Sequence, residues 1–241
     1  MIELDSLSIS FEEKTIIKNL SLEIKNHLSI LGANGSGKST LAKAICDLVS
    51  FEGEIKIDSK NIQSLNLKEK AQLISYIPAK LEVYDEYISV YEFVLLGRFP
   101  YKKSFYEYST KDKYITLKTL KFLNIEHLTN HSLRSLSSGE QQLTLIAQAL
   151  TQQSKIIILD EPTANLDPYN SKIIAQHIKG LKEYHQIILI THDLHLASYV
   201  DSPALFIKEG DASYYKDGLS DDTILKELYG VAFNSLAVRY G

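Results

Sequence analysis

Gly32-Ala33-Asn34-Gly35-Ser36-Gly37-Lys38-Ser39-Thr40 is the stretch that decides the fold of this chain of 241 residues. It matches the P-loop pattern of a glycine, four residues and then Gly-Lys-Ser. Glycines let successive backbone N–H groups point inward around a phosphate, and the following helix adds the positive end of its dipole. Lys38 can reach the β- and γ-phosphates of a nucleotide, and the Ser39 hydroxyl can ligate Mg²⁺. The stretch therefore predicts a site for nucleotide phosphates.

The residues on either side support this interpretation. Leu28–Leu31 is an apolar run that predicts the entering strand, and Leu41–Leu48 predicts the exiting helix. An ordinary Gly-rich turn would not require this strand and helix on either side of it. The residues expected to contact the phosphates are Asn34, Gly35, Ser36, Gly37, Lys38, Ser39 and Thr40.

A second apolar run ends in two carboxylates. Ile156–Leu159 predicts a buried strand, and Asp160, Glu161 and Pro162 follow it. Ligands of α/β sheets bind at the carboxyl ends of the strands, so Asp160 is placed to hold Mg²⁺ and Glu161 to orient or deprotonate a water. Taken alone, two acids after a strand would more often cap a helix. The upstream P-loop favours the catalytic interpretation.

The order of the elements indicates one α/β domain. Strand-like segments dominate the first eighty residues, at Ile2–Ser10, Leu20–Ile24, Leu28–Leu31, Glu54–Ile57 and Leu73–Ile77. From Val90 to about Gln152 the apolar residues recur at helical spacing, and Ile187–Ile190 predicts another buried strand. We therefore expect a helical insertion in a parallel α/β core.

Composition excludes several classes of function. The net charge is -4, and no dense run of Lys and Arg suggests a nucleic-acid partner. No segment has the roughly 18 apolar residues of a spanning helix, and the N-terminus resembles a strand rather than a signal peptide. The chain is therefore expected in the cytosol or attached to a membrane through partners. Cys46, the single cysteine, is expected to be a buried structural thiol.

A third motif lies between the P-loop and the acidic strand. Leu136-Ser137-Ser138-Gly139-Glu140-Gln141-Gln142 resembles the signature of ABC ATPases, with Ser138 in place of its first glycine. A serine helix cap is the simpler explanation of this segment alone. The order of P-loop, signature, Asp-Glu strand, Ala164–Asp167 and Thr191–Asp193 resembles an ABC transporter ATPase over almost the whole chain.

This resemblance implies an α/β fold of the ABC ATPase (P-loop NTPase) type. It has a parallel-sheet core, an antiparallel β subdomain and a helical subdomain. The nucleotide-binding core would cover about 1–85 and 153–241, and the helical subdomain about 86–152. ATP and Mg²⁺ are the implied cofactors, with Ser39 and Asp160 on the metal and Lys38, Glu161 and His192 as catalytic residues.

The resemblance also assigns roles to residues outside the P-loop. Phe11 matches the aromatic that stacks on adenine, although it could simply be a hydrophobic residue at a strand end. Ser137, Ser138 and Gly139 match residues that close over the γ-phosphate held by a partner subunit, and Asp167 matches the acid that crosses the dimer interface. His192 matches the histidine that contacts the γ-phosphate. His195, with His192 and Asp193, suggests a metal site, which we reject because no further cluster of ligands accompanies these residues.

The implied assembly is a homodimer of ATPase subunits at the cytoplasmic face of the inner (plasma) membrane, with separate permease subunits and a substrate-binding protein. Ile88–Tyr101, with Gly97-Arg98-Phe99-Pro100, and Leu225–Val231 resemble importers of iron chelates (siderophore or haem) and of cobalamin. Molybdate importers share much of this pattern. A soluble non-transport ABC ATPase, or a module that binds nucleotide without hydrolysing it, is the rival interpretation.

Two departures from the family pattern stand out. The Q-loop glutamine falls at Ala79, which puts the coupling to a permease in doubt. Asn26-His27 replaces the usual Gly-Glu before the P-loop strand. Both leave the Asp160–Glu161 pair intact.

Overall fold

The computed structural model describes residues 1–12, 14–81, 85, 87–102 and 107–219. The helices are α1 (Lys38–Ile45), α2 (Leu67–Leu73), α3 (Val90–Leu96), α4 (Thr110–Phe122), α5 (Ser138–Gln152), α6 (Pro168–Leu181) and α7 (Leu194–Val200). The strands are β1 (Ile2–Phe11), β2 (Lys14–Ile24), β3 (Leu28–Leu31), β4 (Glu52–Ile57), β5 (Lys60–Asn61), β6 (Ile74–Ile77), β7 (Ile156–Asp160), β8 (Gln186–Ile190), β9 (Ala204–Lys208) and β10 (Asp211–Tyr215). The segment Leu225–Val231 lies outside the described residues.

A six-stranded sheet with the order β10-β9-β3-β8-β7-β6 forms the core. Its strands are parallel except for β10, which runs antiparallel to β9 at one edge. All residues of β3 and β7 are buried, because helices and the second sheet cover both faces. The predicted parallel core is thus confirmed, and the carboxyl ends of β3, β7 and β8 meet at one edge.

A second, antiparallel sheet has the order β2-β1-β4-β5. The predicted strand Leu20–Ile24 is too short, because β2 begins at Lys14. The pairing of β1 with β2 shifts register between Leu4 and Leu7, between Leu7 and Ile9, and between Ile9 and Ser10. Each irregularity breaks the alternation of apolar and polar residues that identifies a strand.

The predicted helix Leu41–Leu48 is also displaced along the chain. Helix α1 begins at Lys38, directly after Gly37, and ends at Ile45, with Asp47 in the left-handed region at φ 56°. Cys46 follows the helix, and its burial raises the pKa of the thiol to about 12, in keeping with a structural role.

The predicted helical region from Val90 to Gln152 is confirmed in α3, α4 and α5, which pack together. A buried ion pair joins two of its segments: Arg98 Nε donates to Asp112 Oδ1 at 2.9 Å, and Arg98 Nη1 donates to the Thr151 carbonyl at 2.8 Å. Gly97 follows the last residue of α3 and lies against the backbone of Gln148, where a side chain would clash. The Gly-Arg pair therefore ends α3 and fixes it to α5.

Among the described residues, no helix has the length and apolar character needed to cross a membrane.

His27, in the turn before β3, joins that turn to β8. The Ile187 backbone N–H donates to His27 Nδ1 at 3.1 Å, so this nitrogen accepts a hydrogen bond only when it carries no proton. Burial, together with the positive charge of Lys182, lowers the pKa of His27 below its ordinary value.

We expect acidification to weaken the fold through His27. The pKa is lower in the folded state, so the unfolded chain takes up the proton first, and stability is lost as pH falls below about 6.5. The His27→Asn variant would keep a hydrogen-bond acceptor at this position without titrating. Urea unfolding at about pH 7 and about pH 5 should therefore give a smaller loss of stability in His27→Asn than in the wild type. His127→Asn, at an exposed position, is the control, and equal losses in His27→Asn and the wild type would contradict the assignment.

Candidate active site

The loop between β3 and α1 forms a phosphate-sized hollow. Gly35 and Gly37 have φ angles of 77° and 103°, which favour glycine, and a Cβ on Gly37 would lie 2.5 Å from Ile16 Cγ2. The hollow has a volume of about 150 Å³ and is lined by Ile16, Gly35, Gly37, Lys38, Ser39 and Thr40. The Ser36 hydroxyl is buried and has no hydrogen-bond partner among the described residues. A buried hydroxyl without a partner is rare in folded proteins and is often found at a functional site.

Lys38 is the cation of this hollow. Its side chain is 6% exposed, and its ammonium donates to the carbonyls of Gly32 at 2.9 Å and Ala33 at 3.0 Å. Burial lowers the pKa of Lys38, while the nearby carboxylates of Glu161 and Asp160 oppose that shift. The lysine is thus held by backbone oxygens and faces two acids.

Asp160 ends β7 beside the first turn of α1. Its carboxylate is 5% exposed and is held by two hydroxyl donors: Ser39 Oγ donates to Oδ1 at 3.0 Å, and the Tyr76 hydroxyl donates to Oδ2 at 2.7 Å. Burial and the adjacent Asp160 raise the pKa of Tyr76 above its ordinary value. The predicted metal pair of Ser39 and Asp160 is therefore in direct contact.

Glu161 turns out of the strand with φ 46°, and its N–H donates to the Ile190 carbonyl at 2.8 Å. Its side chain meets the end of β8. Oε1 lies 2.9 Å from His192 Nδ1, and Oε2 accepts from Thr191 Oγ1 and from the His192 backbone N–H, both at 3.3 Å. The end of β8 thus positions the carboxylate of Glu161, and His192 lies beside it.

The signature segment begins α5. Ser137 caps the helix: Glu140 N–H donates to Ser137 Oγ at 3.4 Å, and the Ser137 N–H donates to Glu140 Oε2 at 2.8 Å. The Ser137 hydroxyl donates to the same carboxylate at 2.7 Å, and these hydrogen bonds lower the pKa of Glu140. The serine cap considered from the sequence is real. The backbone N–H groups of Ser138 and Gly139 lie in the first turn of α5, where a helix offers them no acceptor of its own.

Asp167 and Gly139, predicted to face a partner chain, are linked within one chain. Asp167 caps α6 by accepting from the N–H groups of Tyr169 at 2.9 Å and Asn170 at 3.0 Å. Asn170 Nδ2 donates to Asp167 Oδ2 at 2.5 Å, and the same side chain covers Gly139, where a Cβ would lie 2.6 Å from Asn170 Cγ. Asn170 thus joins the starts of α5 and α6.

Phe11 lies at the end of β1 and is 49% exposed, so it is not a core residue. It pairs with Lys14 across the turn to β2, and Ile16 two residues further lines the phosphate hollow. Its adenine contact stays a prediction.

The structure therefore brings Lys38, Ser39, Asp160, Glu161 and His192 together. Ser137 is not part of this group, and its hydroxyl donates to Glu140. Asn170 donates to Asp167 and packs over Gly139, so it links these two residues. Ile16, Tyr76, Asn170 and Thr191 were missed from the sequence; only Thr191, adjacent to His192, carried a local signal. Among the described residues, no three His, Cys, Asp or Glu side chains are grouped so that they could hold a metal ion.

A P-loop after the central strand β3, with an acid pair at the end of β7, defines a P-loop nucleotide-hydrolysing protein. The comparisons with known proteins make the family specific. The ABC transporter family model matches residues 17–164. The chain belongs to the ABC transporter family, and it is an ATP-binding and ATP-hydrolysing cassette.

Individual relatives agree with this assignment. The chain is 36% identical over 238 residues to an uncharacterised ABC transporter ATP-binding protein of Methanocaldococcus jannaschii, covering 96% of this chain and 92% of that protein. It is 34% identical to a probable iron chelatin transport ATP-binding protein of Helicobacter pylori, covering 87% and 84%. A dimeric ATP-binding cassette solved with ADP and Pi superimposes with a TM-score of 0.77 at 28% identity, covering 90% of this chain and 98% of that one. The ABC ATPase fold is therefore confirmed.

The contact between Gly139 and Asn170 predicts a penalty for a side chain at position 139. Gly139→Ala should stabilise the chain less than Gly180→Ala does, because the new methyl group must displace the Asn170 amide, which offsets the roughly 1 kcal/mol that alanine gains over glycine in a helix. At Gly180 no atom lies within 4 Å of the added Cβ, so Gly180→Ala should stabilise α6 by up to about 1 kcal/mol. Urea unfolding measures both.

The double variant Gly139→Ala, Asn170→Ala tests whether Asn170 is the cause. It should be less destabilised than the sum of the two single variants, because the clash is absent. Strict additivity would show that Gly139 is constrained by something other than Asn170.

Proposed function

We propose that this ABC ATPase powers the import of an iron chelate, such as a siderophore or haem, through a separate membrane permease. The similarity that carries this proposal is the 34% identity over 215 residues to the iron chelatin transport protein of H. pylori. The Gly97-Arg98-Phe99-Pro100 segment, which ends α3, supports the same subgroup by resemblance. Cobalamin or molybdate import is the alternative within this class.

The donor atoms at the site fit Mg²⁺. Magnesium prefers hard oxygen ligands, and Ser39 and Asp160 offer a hydroxyl and a carboxylate oxygen 3.0 Å apart. Bound there with ATP, Mg²⁺ would neutralise charge that develops on the phosphates. Ser39 and Asp160 are the residues that would hold it.

The remaining side chains have separate roles in hydrolysis. Lys38 and the backbone N–H groups from Asn34 to Thr40 would hold the phosphates and stabilise their negative charge. Glu161 would orient the attacking water and accept its proton, and His192 would contact the γ-phosphate. The 2.9 Å contact between His192 Nδ1 and Glu161 Oε1 supports a joint role, since it fixes both side chains at the end of β8.

We infer that two copies assemble head to tail, so that each completes the other's site. Ser137, Ser138 and Gly139 of one chain would face the γ-phosphate held by the other, with Asp167 crossing the interface. None of these three signature residues lines the phosphate hollow of its own chain, which supports this inference, as does the dimeric state of the solved relative. Phe11 would offer its exposed ring to adenine.

The proposed assembly places this dimer on the cytoplasmic face of the membrane, against two permease subunits and supplied by a substrate-binding protein. The helical subdomain, about residues 86–152, would face the permease, and the core would comprise about 1–85 and 153–241. Ala79, exposed just after β6, lacks the amide of the family's glutamine. Sensing of the permease would therefore rely on other groups.

Glu161→Gln tests the catalytic assignment. The amide keeps the shape of the side chain but cannot accept the proton of water, so ATP hydrolysis should fall about 100-fold or more while ATP binding persists. Light scattering should then detect dimers in Mg-ATP. Glu183→Gln, beyond the end of α6, is the matched control and should hydrolyse ATP like the wild type. Near-normal hydrolysis by Glu161→Gln would remove Glu161 as the base.

The substrate class is tested by reconstitution. The ATPase, reconstituted with the permease of an iron-chelate importer from the same organism, should show ATP hydrolysis stimulated by a binding protein loaded with a ferric siderophore or haem. Stimulation by a binding protein loaded with cobalamin or molybdate instead would contradict the iron-chelate proposal. If the ATPase hydrolyses ATP without a permease, and adding the permease does not change the rate, the result would favour a soluble non-transport ABC ATPase.

A further inference from the structure

Tyr76 is a tyrosine of the nucleotide site to which none of the motifs assigns a role. Its hydroxyl donates to Asp160 Oδ2 at 2.7 Å. The other oxygen of the same carboxylate accepts from Ser39 Oγ at 3.0 Å. Each oxygen of the buried carboxylate therefore has its own hydroxyl donor, one from the P-loop helix and one from the neighbouring strand.

The sheet accounts for this contact. β6 runs parallel to β7, with Tyr76 opposite Ile158 in the register. Side chains two apart on a strand share a face, so Tyr76, Ile158 and Asp160 all lie on one side of the sheet. The aromatic ring of Tyr76 packs against the hydrophobic cluster beneath α1, which contains Ile158. The packed ring fixes where the hydroxyl lies.

The two hydrogen bonds act on different oxygens of the carboxylate. The Tyr76 hydroxyl holds Oδ2, which prevents the group from rotating about its Cβ–Cγ bond. Oδ1 is then kept toward Ser39, the second residue that would hold the metal. Partners that orient a ligating carboxylate in this way commonly contribute about 10–100-fold to metal affinity, as a general rule.

Tyr76 lies close in the chain to Ala79, the residue that replaces the family's glutamine. Tyr76 lies three residues before Ala79, in the strand that leads to the loop where the family has its glutamine. Ala79 offers only a methyl group, so it cannot hydrogen-bond to a metal-bound water or to a phosphate. Tyr76 thus supplies a contact between β6 and the metal carboxylate that does not need a side chain at position 79.

We propose that Tyr76 is a positioning residue for the metal site, orienting Asp160 so that one carboxylate oxygen is presented with Ser39 to the Mg²⁺ of the nucleotide. This inference rests on the proposed Mg-ATP function. A tyrosine that only filled space in the core would stabilise the fold without affecting metal affinity, and the two roles are separable by measurement.

The test uses the full chain with ATPγS and Mn²⁺, whose binding is followed by electron paramagnetic resonance. Tyr76→Phe removes one hydroxyl and keeps the ring. We expect it to weaken Mn²⁺ binding in the nucleotide complex about ten-fold. ATPγS affinity in EDTA should match that of the wild type, which also verifies that the variant is folded. Tyr215→Phe, the same change in β10 at the opposite edge of the same sheet, should leave Mn²⁺ affinity unchanged.

A double-mutant cycle with Asp160→Ala, whose side chain offers Tyr76 no acceptor, gives a second, independent measurement. Once the carboxylate is gone, removal of the Tyr76 hydroxyl should have no further effect on Mn²⁺ affinity. Equal additional loss in the two backgrounds would overturn the proposal, as would unchanged Mn²⁺ affinity in Tyr76→Phe alone. If the wild type itself gains no Mn²⁺ affinity from ATPγS, the proposed Mg-ATP function fails instead, so the two failures are distinguishable.

Discussion

One hydrogen bond, between Ser39 and Asp160, joins residues that lie 121 positions apart in the chain, and the active site depends on it. It connects the first turn of the P-loop helix to the last residue of β7. It can form only because β3, β8 and β7 are adjacent and parallel, so that their carboxyl ends reach the same edge. Glu161, Thr191 and His192 reach the site through the same strand order.

The site combines buried charge with backbone conformations that side chains disfavour. Lys38 and Asp160 are both almost fully buried, and the side chain of each makes two hydrogen bonds. Glu161 and the glycines of the P-loop adopt positive φ angles. Such conformations are tolerated at functional sites, where the surrounding packing fixes them. Here the central sheet positions the P-loop and the two acids around a site suited to a polyanion.

Much of this arrangement was predictable from the sequence, because its signals are local. The P-loop spacing and the apolar runs before Ser39 and Asp160 identified the parallel core and the two halves of the site. Boundaries were less predictable: the bulges of β1 and β2 disrupt the alternating pattern, and β9 and β10 near the end of the described chain were not identified. Tyr76 and Asn170 were missed because their roles exist only after β6 meets β7 and α6 meets α5.

In the proposed dimer, one chain would provide the phosphate hollow and a second copy would supply the signature that closes it. A crystal structure of the Glu161→Gln variant with ATP and Mg²⁺ tests this most directly. We predict two chains arranged head to tail, with Ser137 Oγ of each within hydrogen-bond distance of the γ-phosphate held by the partner's P-loop. A structure in which one chain encloses its own nucleotide, with Ser137 facing solvent or bound to the γ-phosphate of the same chain, would contradict the account.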